Sequence, residues 1–522
     1  MHRFLPTLAA LSFVALPAAA QDHVHPAGSG EKLGTVHFPT SCKAGVAPVF
    51  DRAVALLHSF EFGAAIKGFE QVLAADSRCA MAHWGLAMSR WSNPMAAGSR
   101  GAEQLRRGQS SVDAAMRLSG SATEREKGYI AAVSELYKDF ANVNQRARVV
   151  AYERAMENLA AKHPDDNEAK IFYAIALAAS ALPTDKTFAN QKKAGEILVP
   201  LWAKYPSHPG LAHYIIHTYD YPALASEASA AAQMYASIAP SAAHAQHMPS
   251  HIFTRTGLWK ESIATNIKSM DIALSTASIG ETLHAADYAM YAYLQLRRYA
   301  DAKGVLDRLP GLRARFDPNA VTGAAPGAAG VFAIAAIPAR YALEREAWSE
   351  AASLQATASD FPWSEAMTYF ARSIGSSRTK DFANARVPLD SLASIRDRLA
   401  ARDEAYWSEQ VAIQHLGANA WLDLGEGRVD SALAKMRRAA VREAATEKSA
   451  VTPGPLLPAR EMLGDMLMQL DRPREALAEY QATLVTEPNR YRSLAGAAKA
   501  AVAANDSAAA RKYQTALDKL RE

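Results

Sequence analysis

Two segments of this chain carry paired imidazoles at helical spacing. One reads KYPSHPGLAHYIIHTY over residues 204–219, the other IAPSAAHAQHMPSHIF over residues 238–253. Laid over each other, Pro206 falls on Pro240, Ser207 on Ser241, His213 on His247, His217 on His251 and Tyr219 on Phe253. Both copies therefore hold His-x-x-x-His at one phase of a repeat. Side chains four apart share one helix face, so each copy can aim two imidazoles at a single point. The chemistry this suggests is ligation of a transition metal, with zinc, copper and iron as the candidates. Neither pair encloses the Glu that a zinc-protease helix needs. The competing reading is a row of hydrogen-bonding side chains that hold a peptide or a polar core.

More residues join the set by phase. His244 lies one turn before His247. The following repeat, phased from Tyr299 and Ala302, puts Asp287 in the slot of His213 and His247. It puts Tyr291 in the slot of His217 and His251, and His284 in that of His244. Packed helices lie about 8–10 Å apart, a gap that two inward imidazoles can bridge to share one ion. The predicted metal set is therefore His213, His217, His244, His247, His251, His284 and Asp287, with Asp287 suited to orient one ring. Asp220, Tyr221 and Arg255, with Tyr291, extend the same face as groups for a ligand's carboxylate or phosphate.

The elements that must position these side chains are helices. From Val49 onward the apolar pattern is helical, and no stretch sustains the alternation of a strand. Helices come in pairs, and the pairs recur. FGAAIKGFEQVLAAD over residues 62–76 is followed by CAMAHWGLAM over 79–88. LGDMLMQLDRPREALAEY over 463–480 closes at Glu487 and Pro488. The Leu-Gly pair, an aromatic three residues before a small residue, and the closing Pro resemble the tetratricopeptide repeat family, whose period is about 34 residues. That resemblance covers most of residues 45–520 and is tightest over 204–262 and 459–520. It implies an all-α solenoid, a right-handed superhelix with a concave groove lined by the first helix of each pair. It also implies a protein or peptide partner in that groove. The alternative function is a metal-binding protein or metal-dependent enzyme built on the histidines.

The remaining features set boundaries. The chain has 522 residues and a formal net charge of +4, too weak a bias for a dedicated nucleic-acid binder. Residues 1–20 read as a secretory signal with Arg3, an apolar core and the small residues Ala18, Ala19 and Ala20. That places the mature chain in the periplasm or outside the cell, with no membrane span after signal removal. Residues 21–44 read as a flexible leader, 45–445 as an irregular array, 446–458 as a loop and 459–522 as a regular terminal unit. The three prolines of the loop forbid a continuous helix; it separates two units or folds over the groove. Residues 320–339 are uncharged but hold Pro326, Pro338 and three glycines, which reads as a loop before a tightly packed helix.

Cys42 and Cys79 are the two cysteines. In an oxidising compartment they suggest a disulfide, against buried thiols or metal ligands, and it would contribute roughly 3–4 kcal/mol by closing a loop of about 38 residues. Cleavage after Ala20 would expose Gln21-Asp22-His23, a nitrogen set suited to Cu(II) or Ni(II), unless the tail is merely disordered or Gln21 cyclises.

Overall fold

The computed structural model describes residues 30–96 and 100–521. The signal segment and the Gln21-Asp22-His23 set lie outside the described residues. Among those residues the chain is all-helical, without a strand. The helices pack in consecutive pairs, the stacked arrangement of a tetratricopeptide-like solenoid.

The two helices of a pair differ in how much they bury, and their sequences show why. Ile279–Gln295 is apolar or small nearly all round, and every residue except Gly280 is buried. Its successor Tyr299–Arg315 buries Ala302, Val305, Leu309 and Leu312, a single stripe at helical spacing. The first helices therefore form an inner row. Ile279–Gln295 packs on Gly327–Glu344, that helix on Pro362–Arg378, then come Ala405–Gly425 and Ala459–Gln469. Gly327–Glu344 is the packed helix expected after the Gly- and Ala-rich loop, with Pro338 inside it.

The array curls back on itself. Trp259 Nε1 donates to the Asn489 carbonyl at 2.9 Å, and the Tyr491 amide donates to Gln295 Oε1 at 3.1 Å. Gly257 ends the helix Pro249–Thr256 at φ 69°, a left-handed position that favours glycine. A Cβ there would lie 2.4 Å from the Pro488 carbonyl oxygen, so this close approach also needs glycine.

The leader differs from its sequence reading, and the loop 446–458 takes one of the two arrangements left open for it. The described part of the leader, residues 30–43, is packed rather than flexible. Phe38 is buried against Phe50, Trp84 and Tyr129, with the Arg125 guanidinium over its ring. The Lys32 amide donates to Ser241 Oγ, the Ser241 amide donates to the Lys32 carbonyl, and the Thr35 amide donates to the Ser207 carbonyl. Cys42 and Cys79 are joined in a disulfide, which ties this segment to the first helix pairs. The loop 446–458 crosses the inner face as a strap. Lys186 donates to the Thr446 carbonyl, Tyr288 to that of Thr452, and Arg340 to those of Gly454 and Pro455. Among the described residues, no helix is long and apolar enough to cross a membrane.

Candidate metal centre

Four inner segments meet behind the strap. The helix Pro209–Tyr219 carries His213 and His217. Ala243–His247 carries His244 and His247, and Pro249–Thr256, opening one residue later on Pro249, carries His251. Ile279–Gln295 carries His284. All six imidazoles are buried, none more than 4% exposed. Met248, between the two helices, keeps helical backbone angles, φ −54° and ψ −37°, so His247 and His251 stay on one face across Pro249. Gly210 lets the first helix approach His58: a Cβ there would lie 2.5 Å from His58 Nδ1.

The six rings form two sets of three. In the first, His213, His217 and His244 offer ligand atoms all within 4.8 Å of one another. His213 Nδ1 donates to the His58 carbonyl at 2.6 Å, and His244 Nδ1 donates to Glu281 Oε1 at 3.0 Å. Those bonds leave the lone pair on Nε2. The Nε2 atoms of His213, His217 and His244 are buried and have no hydrogen-bond partner among the described residues. An orphaned buried nitrogen is costly, and three together are a marked departure from the usual satisfaction of buried polar groups.

The second set is His247, His251 and His284, again within 4.8 Å. His247 Nδ1 donates to Asn266 Oδ1 at 2.7 Å, and Asn266 Nδ2 donates to the Ser262 carbonyl, which fixes the amide's orientation. His251 Nδ1 donates to Asp220 Oδ2 at 2.8 Å. The two Nε2 atoms then face each other at 3.0 Å with their lone pairs opposed. His284 Nδ1 is buried without a partner among the described residues. The sets abut: His244 and His247 ring centres are 5.8 Å apart, His217 and His251 6.0 Å. An ion with nitrogens at 2.0–2.1 Å spaces its ligands about 3.3–3.5 Å apart, within reach of small ring movements in either set.

Burial lowers the pKa of five of these rings. Burial, reinforced by neighbouring imidazoles, holds His213, His217 and His247 well below the usual histidine value. Burial lowers His251 to about 4 despite Asp220, and His284 to about 3 despite Glu281. Asp220 is raised by burial, but Lys448, Arg255 and His251 outweigh that and hold it well below the carboxylate range. Burial pushes Lys448 down to about 8, and burial with the nearby Glu281 pushes Glu61 up to about 8. Metal-binding histidines commonly need such Nδ1 acceptors to fix tautomer and aim, and Glu281, Asp220, Asn266 and the His58 carbonyl supply them.

The sequence-predicted residues divide accordingly. The six histidines come together, but as two triads rather than around one ion shared by the two His-x-x-x-His pairs. Asp287 is corrected: its carboxylate accepts from Arg340 Nε at 2.9 Å, both side chains fully buried, and it joins neither triad. Its slot count fixed the helix face, not the partner that reaches that face from the next repeat. Asp220 and Arg255 do not wait for a ligand's acid group. Arg255 Nε donates to Asp220 Oδ1 at 2.9 Å, and Lys448 donates to Oδ2 at 2.9 Å. Tyr291 is likewise taken, donating to Glu487 and accepting from Arg490. Tyr221 accepts from Gln191 Nε2.

A third cluster shows the contrast. His58 and His208 each donate Nε2–H to opposite oxygens of Glu168, at 2.9 and 3.0 Å. The inward nitrogens are already bonded to the carboxylate, so this group is a hydrogen-bonded core element. Sequence reasoning missed Glu281, Asn266, Tyr288 and Lys448. Glu281 lies three residues before His284, a helical neighbour spacing that could have flagged it.

No family model matches the chain, and no curated protein matches it. Among solved structures it is similar to yeast Tom70, at 14% identity over 90% of this chain and 99% of that one, with a TM-score of 0.38. It is similar to the human IFIT1 dimer with PPP-AAAA, at 11% identity over 85% and 91%, TM-score 0.37. The APC/C hetero-tetramer Cut9-Hcn1 gives 11% identity over 90% and 93%, TM-score 0.31. Likenesses this distant carry no argument about function. The class rests on the chain's own helices and side chains: an all-α solenoid with a buried polyhistidine centre.

Proposed function

We propose that this protein binds transition metal, one ion at His213, His217 and His244 and a second at His247, His251 and His284. The observation that carries the reading is the tautomer pattern. His247 and His251 each spend their N–H on an outer acceptor, so two bare Nε2 lone pairs face each other at 3.0 Å in a dry interior. That arrangement is repulsive without a cation and is ligation with one. The first triad adds three Nε2 atoms without a hydrogen-bond partner among the described residues, two of them on rings whose N–H is spent on an outer acceptor. Neutral imidazole suits zinc, copper and iron alike. Elemental analysis of the purified full chain after loading and dialysis tests it. The expected result is two ions per chain, falling to one in His217→Ala and to one in His251→Ala. A chain that carries no metal and takes up none on titration overturns it.

A second reading is a protein or peptide partner. It is favoured by an open groove of about 870 Å³ lined by Thr35, Arg125, Asn167, Tyr205 and His208, away from the strap. A peptide array probed with the full chain tests this. Binding should weaken in Tyr205→Ala and be indifferent to His217→Ala; no binder, or binding untouched by Tyr205→Ala, removes it.

A further inference from the structure

We infer that the two abutting triads are built for a pair of copper ions in the monovalent state; this rests on the two-ion reading above. The donor set comes first. Each triad is imidazole alone: no carboxylate or sulfur is among its members, and both cysteines are in the disulfide. Hard ions such as magnesium, calcium and manganese need oxygen ligands and are excluded. Imidazole nitrogen suits copper, and among divalent ions copper stands at the top of the affinity series, so the donor set admits copper and the charge of the site must decide its oxidation state.

Charge then selects the oxidation state. Six neutral ligands donate no negative charge to the ions they hold. The anions that touch the rings are Glu281 on His244 and Asp220 on His251. Asp220 is shared by Arg255 and Lys448, so that corner brings at least as much positive charge as negative. Asp287, further along the same helix as His284, is spent on Arg340. Two dications here would leave most of their charge uncompensated in a site sealed from water, where burying unpaired charge is most costly. Coulomb repulsion scales with the product of the charges, so two dications at a fixed spacing repel about four times as strongly as two monocations.

Coordination number agrees. Zinc held by three protein ligands takes water or substrate as a fourth. Three imidazoles complete the shell of a three-coordinate monovalent copper ion without one. The rings are packed against each other and against the faces of Phe60, Tyr235 and Tyr288.

The experiment is a pair of titrations on the full chain. Cu(I) is delivered anaerobically from its bicinchoninate complex, and Zn(II) in a separate series against a zinc indicator. Two Cu(I) per chain are expected, with the second Zn(II) at least about 100-fold weaker than the first because of mutual repulsion. His247→Gln combined with His251→Gln should then take one Cu(I) and one Zn(II) in the remaining triad, with unchanged helical circular dichroism. Two Zn(II) of comparable affinity, or only one Cu(I), overturns the inference while leaving the metal centre standing. Uptake of neither ion removes both.

Discussion

Two buried polar clusters sit on the same inner row of helices and obey opposite rules. Around Arg490, every charge is answered. Its guanidinium meets both oxygens of Glu461, one of Glu344 and the Tyr291 hydroxyl, while Ser493 and Arg492 reach Glu461 as well. None of the side-chain atoms of Arg490, Glu344, Glu461 or Tyr291 is buried without a partner among the described residues. In the histidine centre the Nδ1 atoms of His213, His244, His247 and His251 are answered, while Nε2 of His213, His217 and His244 and Nδ1 of His284 have no partner among the described residues. Burial and polarity are shared by both clusters; what separates a structural network from a binding site is where the unanswered atoms point. In the arginine network they are lacking, whereas in the histidine centre they converge.

The comparison can be broken most forcefully with acid. Five of the six imidazoles have native pKa values depressed by burial, His251 to about 4 and His284 to about 3. Below about 6.5 the unfolded chain takes up protons that the native rings refuse, so stability is full above that pH and falls steadily as pH drops toward 4. Urea melts of the metal-free protein between pH 7 and 4 should show this. His247→Gln with His251→Gln should flatten the slope, and an unchanged slope would mean that the rings are not buried neutral.

Removing Arg490 is the next largest effect. Arg490→Ala leaves Glu344 and Glu461 without their shared cation and should cost about 3–5 kcal/mol in denaturant melts. Metal content should stay at two ions per chain, because no triad member touches this cluster. A loss of metal in a still-folded Arg490→Ala chain would mean that the clusters are coupled.

Metal itself gives a smaller shift. Free ion at 100 times its Kd should stabilise the chain by about 2.7 kcal/mol per site. The shift should persist in Arg490→Ala and shrink in His217→Ala. Smaller still, Asp220→Asn removes a charged acceptor from behind His251 and should weaken metal affinity about 10–100-fold with the protein still folded. Competition titrations read both effects, and an Asp220→Asn chain of wild-type affinity would demote Asp220 to a purely structural role.

Much of this centre was legible in the sequence because helical spacing is local. The i, i+4 pairs named His213, His217, His247 and His251, and repeat phase added His244 and His284. What spacing cannot report is which neighbour reaches in from another repeat. Asp287 occupies the slot of a ligand, yet Arg340 of the following inner helix claims it. Lys448 and Tyr288 converge on Asp220 and His251 through tertiary contacts with no local signature. The division into two triads was not legible either, because it rests on which rings meet across helices and not on spacing along one. Phe38 was unreadable for a different reason: one buried aromatic in an aperiodic segment makes no pattern. The three prolines of residues 446–458 announced a break in helix and left the loop's path open between separating two units and folding over the groove.

That path has a consequence in time rather than in energy. Lys448 reaches Asp220 from 228 residues away in sequence, and Tyr288 anchors the same strap at Thr452 directly over His251. An ion seated behind it has no exit while those bonds hold, so its departure would be paced by local opening of the strap and not by the strength of the metal–nitrogen bonds. Affinity and exchange rate would then be set by different parts of the chain: the helices fix how tightly an ion is held, and thirteen residues of loop fix how long.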